Sequence, residues 1–161
     1  MSKRAILVVD LQKEFWPDGN LPLHGIESAA HNAARVIAHA RSRGDLVVNI
    51  RHEIPGGPIF VPGSAGARIN DVVAPAQDEA VITKNHPNSF RETGLKDLLD
   101  EHGVRDVVVV GAMSHMCIDA TTRAANDHGF ATTTIHDACA TRYIEFGCQT
   151  APAAHVLTAI M

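Results

Sequence analysis

The sequence predicts an α/β fold, a single doubly wound, mainly parallel sheet of the Rossmann-like three-layer kind with helices on both faces, spanning residues 1–161. Three observations lead there. Short, wholly apolar runs such as Ala5 to Val9 and Val107 to Val110 lack the alternation of a half-exposed strand, as expected of strands buried on both faces. These runs alternate with segments of helical period along the whole chain. No repeat, linker or low-complexity tract interrupts them, so right-handed crossovers in one sheet account for everything.

Taken in order, Ala5 to Val9 is a central parallel strand ending at Asp10, and Leu11 to Gly19 is an aperiodic loop that closes on Pro17 and Gly19. From Ile26 the apolar positions Ala29, Ala30, Ala33, Ile37 and Ala40 recur at helical spacing, with Gly44 as the stop. Leu46 to Arg51 is the second strand. His52 to Gln77, rich in Pro and Gly, is too long for a plain connection and is expected to act as a lid or pocket wall. Ala80 to Thr83 is the third strand, with Lys84 at its end. Thr93 is placed to cap a helix that buries Leu95, Leu98 and Leu99 and stops at Gly103. Asp106 to Val110 is the fourth strand. Ser114 is then expected to cap a helix running to about Gly129 and burying Met116, Ala120, Ala124 and Ala125. Ala131 to Ile135 is the fifth strand, and Val156, Leu157 and Ile160 give the tail a helical spacing.

Composition narrows the partners. The chain has 161 residues, 45% apolar, enough for a substantial core without staples. A formal charge of −4 with no basic run gives no reason to expect nucleic acid or an anionic membrane, so the expected partner is a small molecule. The apolar run at the N-terminus breaks at Asp10, too early for a secretory signal, and no window approaches the ~20 apolar residues of a membrane span. Cys117, Cys139 and Cys148 show no metal or redox spacing, which suits a cytoplasmic location. The ten His residues form no H-x-H or H-E-x-x-H pattern, and no G-x-G-x-x-G follows the first strand, so neither a metal nor a dinucleotide cofactor is expected.

The chemistry converges on one edge. In an open parallel sheet, ligands bind outside the carboxyl ends of the strands, near the switch in winding direction. Asp10 ends the first strand, Lys84 ends the third and Cys117 follows the fourth, so the winding brings a carboxylate, an ammonium and a thiol to the same rim. Asp10 is suited to take the thiol proton, Lys84 to steady both anions and Cys117 to attack a carbonyl. In the first turn of a capped helix Cys117 is expected to be a favoured thiolate, because the helix N-terminus attracts negative charge. Phe15, Trp16, Phe60, His115 and Ile144 are candidate walls of a substrate pocket, and His52 and His86 lie near the rim. Cys139 and Cys148 are read as structural.

Four blocks carry a resemblance that covers nearly the whole chain in order. They are Ala5-Ile6-Leu7-Val8-Val9-Asp10-Leu11-Gln12 with Phe15, then Lys84 with Ser89-Phe90 and Thr93 to Leu95, then Gly111 through Thr121 around Cys117, then Asp137-Ala138-Cys139-Ala140-Thr141. Together they resemble the isochorismatase-like cysteine hydrolases. The resemblance implies an Asp10, Lys84 and Cys117 triad on a mainly parallel six-stranded sheet, a cis peptide between Ala112 and Met113, and an oxyanion hole from the Met113 and Cys117 N–H groups. It also implies thiolate attack on a C–N carbonyl, loss of ammonia or an amine, and hydrolysis of the thioester by water that Asp10 activates.

Relatives in that family are commonly dimers or tetramers, and they continue through another strand, which implies an absent last element or packing from a partner subunit. Nicotinamidases carry a metal-binding Asp-x-His after strand two, where this chain has Asn49-Ile50-Arg51-His52, and that disfavours nicotinamidase activity. The expected function is a metal-independent amide or C–N hydrolase. Two alternatives stay open, a vinyl ether hydrolase of the isochorismatase type that does not need Cys117, and a catalytically silent interaction protein.

Overall fold

A computed structural model describes residues 4–161. Its frame is a five-stranded, all-parallel sheet in the order β3-β2-β1-β4-β5, where β1 is Arg4–Val9, β2 Leu46–His52, β3 Ala80–Lys84, β4 Asp106–Ala112 and β5 Ala131–Ala140. Four helices accompany it: α1 (Ile26–Arg43), α2 (Leu95–Glu101), α3 (Asp119–Asp127) and α4 (Ala153–Ile160). A short antiparallel hairpin of β6 (Ile144–Phe146) and β7 (Gln149–Ala151) precedes α4. The resemblance implied six strands in the main sheet; among the described residues there are five, and β5 is an edge. No helix among these residues is long and apolar enough to cross a membrane.

The strand order explains why the apolar runs do not alternate. β1 lies in the centre with β2 along one edge and β4 along the other, and helices cover both of its faces. Ile6 and Val8 pack with Ala29, Ala33 and Ile37 of α1 on one face, whereas Leu7 and Val9 pack with Leu95 and Leu99 of α2 and Ala125 of α3 on the other. The stop of α1 is also as expected: Gly44, with φ of 72°, donates its N–H to the Ala40 and Arg41 carbonyls.

Three expectations are corrected. Ser114 does not cap an α-helix: Ser114–Ile118 is a π turn, the Ser114 hydroxyl donates to the Ala140 carbonyl at 3.2 Å, and α3 starts only at Asp119. Met116 consequently points outward, 41% exposed, rather than into the core. β5 runs on to Ala140 past a break in its register with β4 between Val109 and Gly111, which lets polar His136 and Asp137 sit in a strand. Thr93 does assist the start of α2, accepting the Leu95 N–H at 3.4 Å while donating to the Ser89 carbonyl.

The segment from His52 to Gln77 is a wall and not a free loop. Phe60, Ala67 and Val73 are buried in it, and Gln12 forms an antiparallel bridge with Ile69. The Lys13 N–H reaches the Arg68 carbonyl and the Glu14 N–H reaches that of Gly66, both at 2.9 Å. These bonds tie it to the chain leaving β1.

Winding reverses between β1 and β4, and there the backbones come unusually close. Gly111, with φ of 132°, lies so near β1 that a Cβ would stand 1.9 Å from the Val9 carbonyl oxygen. A side chain there must displace the strand end that carries Asp10. Gly111→Ala is therefore expected to lose about 3 kcal/mol of stability, a fall in Tm of roughly 6–12 °C read by thermal unfolding.

Candidate active site

Asp10 is the first residue beyond β1, and its backbone takes the left-handed conformation, φ 55°, with its N–H bonded to the Ile50 carbonyl at 3.0 Å. A non-glycine residue held there costs of order 1–2 kcal/mol and turns the carboxylate back over the sheet edge. Asp10 is 1% exposed; its Oδ1 is buried with no hydrogen-bond partner.

Lys84 starts from β3, two strands from β1, which is about 10 Å at normal strand spacing. Its four-carbon stem crosses the end of β2 and delivers a wholly buried ammonium to the switch point. The three N–H groups of that ammonium meet three acceptors: Asp10 Oδ2 at 2.8 Å, His52 Nδ1 at 2.8 Å and Cys117 Sγ at 3.3 Å. Asp10, Lys84 and Cys117, 74 and 33 residues apart in successive pairs, thus form one bonded unit.

Cys117 lies in the π turn after β4 and is 8% exposed. Burial pushes its thiol up to about 12, and the charge of Asp10 adds to that, while Lys84 pulls the other way and is outweighed. The expectation of a resting thiolate is thereby corrected. A helix N-terminus alone favours the thiolate, but desolvation and the adjacent carboxylate together stabilise S–H. A nucleophile can form here only as the proton leaves, and the unpaired Oδ1 of Asp10 is a lone pair available to take it.

Asp10, His52 and Cys117 offer an oxygen, a nitrogen and a sulfur within 4.8 Å of one another, a set that suits a metal by composition. The position among them is filled by the Lys84 ammonium, bonded to all three. A divalent cation beside that buried charge does not fit this arrangement.

Other side chains divide clearly. Phe15 and Phe60 are buried and meet edge to face at 5.1 Å, Phe60 meets the His52 ring at 5.7 Å, and half-buried Trp16 packs on the same cluster. His115 bonds through Nδ1 to the Thr141 hydroxyl at 2.6 Å, tying the π turn to the end of β5, and burial lowers its pKa. Ile144 belongs to the β6–β7 hairpin and joins neither the triad's hydrogen bonds nor the aromatic cluster. His86 pairs with Glu92 at 3.0 Å, outside the triad. The Ala112–Met113 peptide is cis, as the resemblance implied. Cys139 is buried in β5 and Cys148 is exposed, and neither touches the triad's network.

One residue of the network escaped the sequence reading, and a second, His52, was placed near the rim but not joined to Lys84. Gln12, wholly buried, accepts the His52 N–H at 2.8 Å and donates to the His52 carbonyl at 2.8 Å and the Ala67 carbonyl at 2.7 Å. His52 is the residue it holds. The only sequence signal was a polar Gln two residues beyond a strand-ending Asp. Surface grooves lie elsewhere, including one of about 390 Å³ lined by Arg4, Asn32, Arg35 and Asp137, and it is chemistry that distinguishes the carboxyl edge.

The raised thiols have a consequence for stability. Cys117 and Cys139 both reach about 12 in the folded chain against an ordinary value near 9, so the folded form binds their protons more tightly than the unfolded form. Their contribution is fully present below pH 9 and is lost as pH rises from 9 toward 12. Denaturant titrations across that range are expected to show falling stability with a shallower slope in Cys139→Ala.

Comparisons with known proteins agree with this geometry. The Isochorismatase domain matches residues 4–154. The chain is 42% identical over 159 residues to an isochorismatase family protein of Bacillus subtilis (strain 168), covering 98% of this chain and 88% of that one. It is 34% identical over 158 residues to a maleamate amidohydrolase of Pseudomonas putida, covering 88% of this chain and 74% of the relative. A crystal structure of an isochorismatase-type protein from Oleispira antarctica superposes with a TM-score of 0.94 at 46% identity, covering 98% of this chain and 86% of that one. With its sheet order, its clustered edge residues and these likenesses in accord, the chain belongs to the isochorismatase family and is a hydrolase.

Proposed function

We propose that this hydrolase is a metal-independent cysteine enzyme that cleaves a small amide or related C–N bond through a thioester on Cys117. The observation that carries the reading is the buried Lys84 ammonium bonded to both Asp10 Oδ2 and Cys117 Sγ while Asp10 Oδ1 has no partner. A nucleophile, its base and a cation between them are the equipment of covalent acyl transfer. The similarity to a maleamate amidohydrolase points to the same bond class.

In the first half-reaction Sγ attacks the carbonyl carbon as the thiol proton passes to Asp10, and the carbonyl electron pair moves onto oxygen. The N–H groups of Met113 and Cys117 are the donors assigned to that oxyanion. Its collapse breaks the C–N bond, and the leaving nitrogen takes the proton from Asp10 and departs as ammonia or an amine. Water then attacks the thioester while Asp10 takes one of its protons; collapse returns that proton to sulfur and releases a carboxylic acid. Lys84 keeps its protons throughout and offsets the charge that alternates between Asp10 and Cys117. Phe15, Trp16 and Phe60 supply an apolar wall suited to a small ligand.

Incubation with a panel of small amides, followed by intact-mass analysis, is expected to reveal an acyl adduct on the wild type that is absent from Cys117→Ser. On an amide that responds, Cys117→Ser and Asp10→Asn should each lower kcat/KM by at least about a thousandfold. Turnover of a vinyl ether that survives Cys117→Ser and requires Asp10 would instead establish the ether hydrolase. No turnover of either bond class, with no adduct, would favour an interaction protein.

A further inference from the structure

We propose that His52 is the positioning residue of the Lys84 ammonium, taking one of its three N–H groups on a neutral Nδ1 so that the other two are aimed at Asp10 and Cys117. The role deepens the cysteine-hydrolase reading and rests on it for its catalytic meaning, although the geometry it asserts does not.

The strands place the pair together. β2 and β3 run parallel with His52 in register opposite Lys84, so the side chain that must span β2 on its way to Asp10 passes the end of β2 where His52 stands. A buried ammonium with two partners leaves one N–H unpaired, and that donor then bears its full desolvation cost. On a flexible stem that deficit is relieved by rotation, which would withdraw the ammonium from its weakest partner, the sulfur at 3.3 Å. The third acceptor removes the incentive.

Why a histidine serves follows from charge. A carboxylate at this point would compete with Asp10 for the ammonium and push the thiol still higher, as Asp10 itself does. A neutral imidazole fills the vacancy without adding an anion. Because Lys84 only donates, Nδ1 must accept and the ring proton lies on Nε2. The groups facing the ring are Lys84 from β3, Asp10 from β1, Cys117 from the π turn, Phe60 from the wall and His86 beyond β3. Burial and then Lys84 lower the imidazole's pKa, which keeps it in the accepting form. Its backbone is held on both sides by Gln12, so the ring cannot drift with its strand end.

The test uses the full-length protein and needs no substrate. Rates of Cys117 alkylation by iodoacetamide are measured by peptide mass spectrometry at pH 8 in wild type, His52→Leu and His52→Asn, with Cys139 as the internal control. An Asn side chain places an acceptor near the Nδ1 position, whereas Leu fills the space without one. His52→Leu is expected to slow Cys117 by roughly tenfold with Cys139 unchanged, and His52→Asn to recover to within about threefold of wild type. A Cys117 rate in His52→Leu equal to or above wild type overturns the proposal. So does an equal change at Cys139, which marks general loosening, or failure of Asn to restore the rate. A parallel arm on any amide that is turned over should show kcat falling with KM nearly unchanged in His52→Leu. Should Cys117→Ser retain amide turnover, the cysteine-hydrolase reading falls while the alkylation rates still decide whether His52 positions Lys84.

Discussion

A single buried positive charge organises the carboxyl edge of this sheet. An ammonium removed from water costs several kcal/mol even after the protein relaxes, and it persists only where its donors are satisfied and an anion lies beside it. Lys84 meets both conditions, through Asp10 at 2.8 Å and through His52 and Cys117. The requirement reaches outward. Asp10 adopts a left-handed backbone to face the charge, β3 must lie within a lysine's reach of β1, and Gln12 fixes the end of the strand between them.

The same charge does not suffice to ionise the sulfur. Lys84 lies beside Cys117, yet burial and then the Asp10 carboxylate outweigh it and push the thiol up to about 12. A permanent thiolate in so closed a place would also demand a second compensating cation, and none adjoins it among the described residues. In the proposed mechanism one negative charge instead moves between oxygen and sulfur. Lys84 touches both ends of that path, so its stabilisation is retained wherever the proton resides.

The fold was legible because its signals are physical periods. Buried parallel strands announce themselves as apolar runs, and the ends of β1, β3 and β4 located the triad through the winding rule alone. Ala29, Ala30, Ala33, Ile37 and Ala40 all proved to be buried on α1. What failed was local. The π turn at Ser114–Ile118 contains nothing that distinguishes it from a capped α-helix, because the Ser114 hydroxyl is claimed by Ala140, 26 residues away. The β6–β7 hairpin is formed from strands of three residues, shorter than a period can reveal. The Gln12 and His52 links depend on contacts 40 residues apart and become visible only once β1 and β2 are side by side.

Residues 64–70 run against residues 11–14, joined by the Lys13, Glu14 and Asn70 N–H groups to the carbonyls of Arg68, Gly66 and Leu11, with the Gln12 amide on Ala67. A stretch laced to a strand exit at so many points cannot hinge by itself: moving it would unfasten the support of His52 at the same moment. For the proposed hydrolase, ligand choice at this edge would then be templating by a fixed surface, as a mould selects its casting, and differences in preference among related chains would be written in side-chain identity and not in the motion of a cover.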